Sequence, residues 1–114
     1  YYLRYTNIDI DQAYYELIKI FDLKSAGFQN ESLGDCLDDM ATKRNARYVL
    51  QLNECAEHFT AVWNRSDDFL FFDPERGCYR RTIGDYKAAI LGYLKHEYGA
   101  SSDESVYADH VVDD

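Results

Sequence analysis

One proline, one methionine, one tryptophan and three cysteines are all that 114 residues supply of those types. So little cysteine excludes a disulfide-stapled framework. Cys36, Cys55 and Cys78 cannot all pair internally, and their spacing fits no zinc pattern. Free thiols in a reducing compartment are the expectation. No apolar run approaches the roughly 18 residues that a membrane-spanning helix needs, and no secretory leader is visible. Basic residues are scarce: Lys and Arg number 12 against 21 Asp and Glu, a formal net charge of -9. That balance argues against direct binding to nucleic acid or anionic membrane and is compatible with a basic partner. His58, His96 and His110 form no ligand cluster with the cysteines, and nothing implies a metal or an organic cofactor. The chain opens on Tyr1, not on methionine, so a processed fragment or a piece of something longer is expected.

What is present reads as one small globular domain. The residues are 46% hydrophobic and 29% charged, and 11 are tyrosines, which serve best as large amphipathic packing groups. A core can form, though a modest one. Residues 1–6 read as a short strand or an extended lead. Asp9 followed by Gln12 has capping-box character, and Tyr14, Leu17, Ile18 and Phe21 recur at helical spacing. They predict an amphipathic helix over 10–24 that Gly27 would stop. A second helix is predicted over 32–43, with Ser32 as N-cap and Leu33, Cys36, Leu37 and Met40 as its apolar stripe. Three strands follow, Tyr48–Leu52, His58–Trp63 and Phe69–Phe72, with a short fourth at 78–81. Asn64-Arg65-Ser66-Asp67-Asp68 supplies turn chemistry between the second and third. A last helix covers 84–98, with Thr82 or Asp85 as cap and Tyr86, Ala89, Ile90, Tyr93 and Leu94 on its apolar face. Residues 99–114 carry five acidic groups and no Lys or Arg, and read as a flexible tail beyond a domain of 1–98. The predicted class is α+β, an antiparallel sheet of three to four strands flanked by helices, in the order α-α-β-β-β-(β)-α.

The chemistry concentrates in Phe71-Phe72-Asp73-Pro74-Glu75-Arg76-Gly77 and in His58, 15 positions before Asp73. In an antiparallel hairpin the start of the first strand lies beside the end of the second. An imidazole would enter one strand where a carboxylate leaves the next, which makes two thirds of a hydrolase triad. The bland reading is a strand histidine and a turn-forming aspartate.

The string from 48 to 98 resembles the C-terminal half of papain-like bacterial effector proteases of the YopT type, a half that related glutamine deamidase toxins share. The matching pieces are Val49-Leu50-Gln51-Leu52, His58-Phe59-Thr60-Ala61-Val62, Phe71-Phe72-Asp73-Pro74 and Gly77. Glu75 departs from the Asn that commonly follows Asp-Pro in the family. The interval before His58 is also short for the family's Gly-x-Cys nucleophile. The resemblance implies a papain-like fold, a protein substrate or partner, and a soluble protein, cytoplasmic or delivered into a host cell as an effector. It gives His58 the part of base, Asp73 that of its orienting carboxylate, and Gln29 that of an oxyanion donor. Gly34-Asp35-Cys36 offers Cys36 as nucleophile at a helix N-terminus. Cys36 equally fits the apolar stripe as a core thiol, and the nucleophile could instead lie upstream of Tyr1 or be absent. Cys55, just before His58, is a weaker candidate, and Cys78 would pack as a small hydrophobe.

Two classes of function follow. One is a cysteine-dependent acyl-transfer enzyme, a protease or a glutamine deamidase of the effector or toxin kind. The other is an inactive papain-like module, or a small acidic inhibitor, that acts by binding protein.

Overall fold

The computed structural model describes residues 10–53 and 58–113. Helix α1 (Ile10–Lys19) runs into a 3-10 turn (Ile20–Asp22), then strand β1 (Lys24–Ser32) and helix α2 (Leu33–Ala41). Strands β2 (Ala46–Leu52), β3 (His58–Asn64), β4 (Asp68–Asp73) and β5 (Gly77–Thr82) come next. A 3-10 turn (Ile83–Asp85) leads into α3 (Tyr86–Tyr98), and β6 (Ser105–Val112) closes the order. The class is α+β as expected, but the antiparallel sheet has six strands, not three to four, in the order β1-β6-β2-β3-β4-β5.

Both extra strands came from segments without a strand signal. Lys24–Ser32 lies at the sheet edge and is exposed along most of its length, so it shows no apolar alternation. Ser105–Val112, expected within a flexible tail, is the strand β6 and sits between β1 and β2, hydrogen-bonded on both sides. Its charge misled the reading: Val106 and Ala108 face the core while Asp109 turns to the opposite face and accepts a hydrogen bond from the Ser25 hydroxyl. The proposed lead at 1–6, the Asp9 capping position and Cys55 lie outside the described residues.

Elsewhere local chemistry fixed the elements. Ser32 caps α2, its Oγ accepting from the amide of Asp35 at 3.3 Å. No side-chain cap starts α3, although Asp85 occupies the capping position. Gly99, at φ 71°, ends α3 in the left-handed conformation that glycine adopts without steric cost, and its amide bonds to Lys95.

The sheet carries α2 and α3 on one face. Ala46, Tyr48, Leu50 and Leu52 alternate inward along β2 and meet Leu33, Cys36, Leu37 and Met40 of α2. Phe69 and Phe71 of β4 meet Tyr86 and Tyr93 of α3 edge-on, at ring centroids 4.7 and 5.1 Å apart. Each such fully buried aromatic contributes about 1.5–3 kcal/mol by leaving water. On the other face Leu17 and Ile20 cover Ala61, Leu70, Phe72 and Val111. β4 is buried on both faces, which is why Phe69-Leu70-Phe71-Phe72 reads as a continuous apolar run.

Candidate active site

Strand register brings the imidazole and the carboxylate together. β3 pairs with β4 so that Ala61 lies opposite Phe72. Continuing that register sets residue 60 opposite 73, so His58 falls on the same face as Asp73 and diagonal to it, within reach of a side chain. The turn then fixes the carboxylate. Pro74 has no amide to satisfy. The amide of Glu75 donates to Asp73 Oδ1 at 2.9 Å, and the amide of Arg76 donates to the Asp73 carbonyl at 3.0 Å. This is an Asx-type turn. Gly77 closes it at φ 126°, a backbone position that disfavours a side chain.

Asp73 is fully buried and accepts four hydrogen bonds. Oδ1 takes the Glu75 amide and His58 Nε2, both at 2.9 Å. Oδ2 takes the Tyr93 hydroxyl at 2.7 Å and the Tyr98 hydroxyl at 2.6 Å. Burial pushes the Asp73 carboxyl up, yet the donors from Tyr98, Tyr93 and Glu75, with the charge of His58, outweigh it and hold it below its ordinary value. Burial, and then the neighbouring carboxylate, push both tyrosines well up, so they remain donors at neutral pH.

Counting acceptors settles the tautomer. An ionised carboxylate only accepts, so neutral His58 carries its proton on Nε2, and Nδ1 presents a lone pair. The Tyr98 ring lies against the imidazole, with centroids 4.3 Å apart and planes inclined by 32°. An imidazole with its plane and tautomer fixed, one nitrogen held by a buried carboxylate and the other without a hydrogen bond among the described residues, can take a proton from an acid and return it to a leaving group.

The other two predicted site residues are not brought there. Cys36 has no exposed surface; it sits in α2 among Leu33, Leu37, Met40 and Tyr48, with its thiol 3.7 Å from Met40 Sδ. Burial pushes that thiol up to about 12, with Glu31 and Asp39 adding to the effect. An activated thiol requires the opposite shift. α2 does begin at the end of the sheet that holds His58, since Ser32 pairs with Ser105 while Leu52 pairs with both Val106 and His58. A cysteine in its second turn nevertheless points into the core. Gln29 stands in β1, three strand positions from β3, or about 14 Å at sheet spacing. It lines a separate cavity of about 420 Å³ with Asp39, Met40, Lys43, Tyr48 and His110. Cys78 is half-buried on the opposite face, its thiol raised to about 11 by burial.

Sequence reasoning placed Tyr93 on the apolar face of the last helix and gave Tyr98 no part. The available signal was indirect: a buried aspartate needs donors, and a tyrosine on a core-facing helix stripe can supply one without breaking that stripe.

No protein-family model matches the sequence, and no curated protein matches it. Among solved structures, the chain is similar to the avirulence protein AvrPphB of Pseudomonas, with a TM-score of 0.67 and 16% identity, over 83% of this chain and 56% of that one. The two share a fold. At this identity the likeness speaks for the architecture alone, and the chain spans little more than half the length of AvrPphB.

Proposed function

We propose that this domain supplies the base and its orienting carboxylate to a papain-like, cysteine-dependent acyl-transfer site of the bacterial effector kind. The observation that carries the reading is the fourfold-bonded Asp73 holding His58 by Nε2. The fold shared with an avirulence protein supports the effector context, as does the resemblance to the YopT-type proteases. His58 Nδ1 takes the thiol proton as sulfur bonds to the substrate carbonyl carbon, and gives it to the departing nitrogen as the C–N bond breaks. Water, deprotonated by the same nitrogen, then cleaves the thioester, releases the acid and restores the thiol. A peptide amine leaves in a protease and ammonia in a deamidase. Asp73 stabilises the imidazolium between the two transfers.

In this reading the thiol is not Cys36, whose burial and raised pKa oppose it. It comes from a cysteine outside the described residues. The test is labelling of the full-length natural protein with a thiol-directed epoxide or vinyl sulfone at mildly acidic pH. A single cysteine other than Cys36 should label, and His58→Ala should slow labelling by about a hundredfold or more, the scale of general acid–base catalysis. Labelling equally fast in His58→Ala, or labelling of Cys36, overturns the proposal.

A second reading is favoured by one observation: among the described residues no thiol shares the His58 corner. It is an inactive papain-like module that binds a protein partner. Absence of labelling in the full-length protein, with the fold intact, would select it.

A further inference from the structure

The two tyrosines on Asp73 Oδ2 look equivalent in their hydrogen bonds, at 2.7 and 2.6 Å, but not in what else they touch. Tyr93 is buried in the core, and its ring meets Phe71 and Tyr79. Tyr98 is the last residue of α3, half-buried at the rim, and it touches both members of the pair. Its hydroxyl reaches the carboxylate while its ring covers the imidazole. The residues around it hold it there. Gly99 stops the helix immediately after it, and Arg76, from the turn that carries Asp73, bonds to Glu97 at 3.3 Å beside it.

We infer that Tyr98 is the positioning residue of the His58–Asp73 pair, setting the plane of the imidazole and shielding the Nε2–H···Oδ1 bond from water so that Nδ1 alone faces the reacting partner. Physical necessity gives the roles. A single hydrogen bond to a ring nitrogen leaves the imidazole free to swing about the line from that nitrogen to its acceptor. A flat neighbour against the ring face removes the freedom. A charge-assisted bond also strengthens when water is kept off it. Tyr93 is the comparison: it gives the same carboxylate a hydroxyl while its ring meets Phe71 and Tyr79.

The inference deepens the proposed function and rests on it for its meaning, but its test needs no thiol and no substrate. The measurement is nitrogen-15 NMR of the His58 ring in the chain as it stands, reading the tautomer from the two nitrogen shifts and the exchange rate of the Nε2 proton with water. The variants are Tyr98→Phe, Tyr98→Leu and Tyr93→Phe.

In the parent the Nε2-protonated form should dominate, with slow exchange. Tyr93→Phe removes an equal hydroxyl from the same carboxylate and should stay within a few-fold of the parent. Tyr98→Phe keeps the ring and should stay within a few-fold of the parent. Tyr98→Leu should mix the tautomers and speed exchange about tenfold or more, the order of effect one charge-assisted hydrogen bond supplies.

A folded Tyr98→Leu with the parent's tautomer and exchange rate overturns the inference, as does Tyr93→Phe with an effect as large as that of Tyr98→Leu. If the leucine variant does not fold, Tyr98→Met, which fills the same space without a flat face, takes its place. If neither folds, Tyr98 is a structural residue and the inference fails. A positive result with no labelling in the full-length protein would retain Tyr98's positioning part and discard the enzyme, so the two readings fail separately.

Discussion

The corner around Asp73 and the environment of Cys36 answer the same question in opposite ways. Both residues are fully buried. Asp73 brings a charge inside and meets a donor for every acceptor position, so its carboxyl is lowered in spite of burial. Cys36 brings a nearly apolar thiol inside and meets carbon and sulfur, so burial, with the charges of Glu31 and Asp39 adding to it, raises its thiol to about 12. Burial is one physical force with two outcomes, and the neighbours choose between them. A buried ionisable group surrounded by donors marks a site built for chemistry or for specificity; one surrounded by Leu and Met marks a core.

The harshest way to break this contrast is Asp73→Ala. It leaves the His58 ring, two tyrosine hydroxyls and the Glu75 amide without their acceptor, and removing one partner from such a buried network costs about 3–5 kcal/mol. A fall in the urea midpoint on that scale is expected at neutral pH. Asp73→Asn should cost much less, because the amide oxygen can still take His58 and Glu75 while the tyrosine hydroxyls accept from its nitrogen. Equal losses in the two variants would mean that charge, not bonding, holds the corner.

Acid probes the same group reversibly. The folded-state pKa of Asp73 is lowered from 3.8. Its contribution is therefore fully present above that value and is lost as pH falls through the lower, folded-state value. Stability of the parent relative to Asp73→Asn should shrink as pH falls below about 4, where the unfolded-state carboxyl begins to bind its proton. A difference that vanishes already at pH 6 would assign the effect to another group.

At Cys36 the expected effects are smaller. Cys36→Ala deletes one buried heavy atom and should cost about 1 kcal/mol. Iodoacetamide should reach this thiol only after denaturation. Rapid native alkylation that depends on His58 would erase the contrast and restore Cys36 to the site.

What the sequence revealed and what it hid follow from the same physics. Ser32 with Asp35, the apolar run Phe69–Phe72 and the Asp73-Pro74…Gly77 turn are local signals, and each formed the element it predicted. The spacing of His58 and Asp73 was readable because hairpin register converts sequence distance into spatial distance. Cys36 was ambiguous because a Gly-x-Cys string and a helical stripe can occupy the same residues; one extra half-turn of helix decides between them. β1 and β6 were hidden for another reason. An exposed edge strand has no inner face to alternate with, and a strand whose polar residues face solvent resembles an acidic tail until its partners are known. Gln29 shares the case of β1: its oxyanion part came from the resemblance alone, and it stands on the edge strand, three strand positions from β3.

The finest test lies in a salt bridge that joins the two helices behind these regions. Lys87, on the helix that carries Tyr93 and Tyr98, bonds to Asp38, on the helix that carries Cys36, at 3.0 Å. Both side chains are well exposed, at 43% and 57%. Water screens such a pair and ordering two side chains opposes it, so Lys87→Met should change stability by less than about 0.5 kcal/mol and lose even that in strong salt. Protection of Cys36 and the tautomer of His58 should both remain as in the parent, because α2 and α3 are held by Leu33, Leu37, Ile90 and Leu94 and not by this bridge. If the substitution exposed the Cys36 thiol while His58 stayed fixed, the bridge would be clamping α2 onto the sheet, and the separation of core from site would depend on a surface charge instead of on packing.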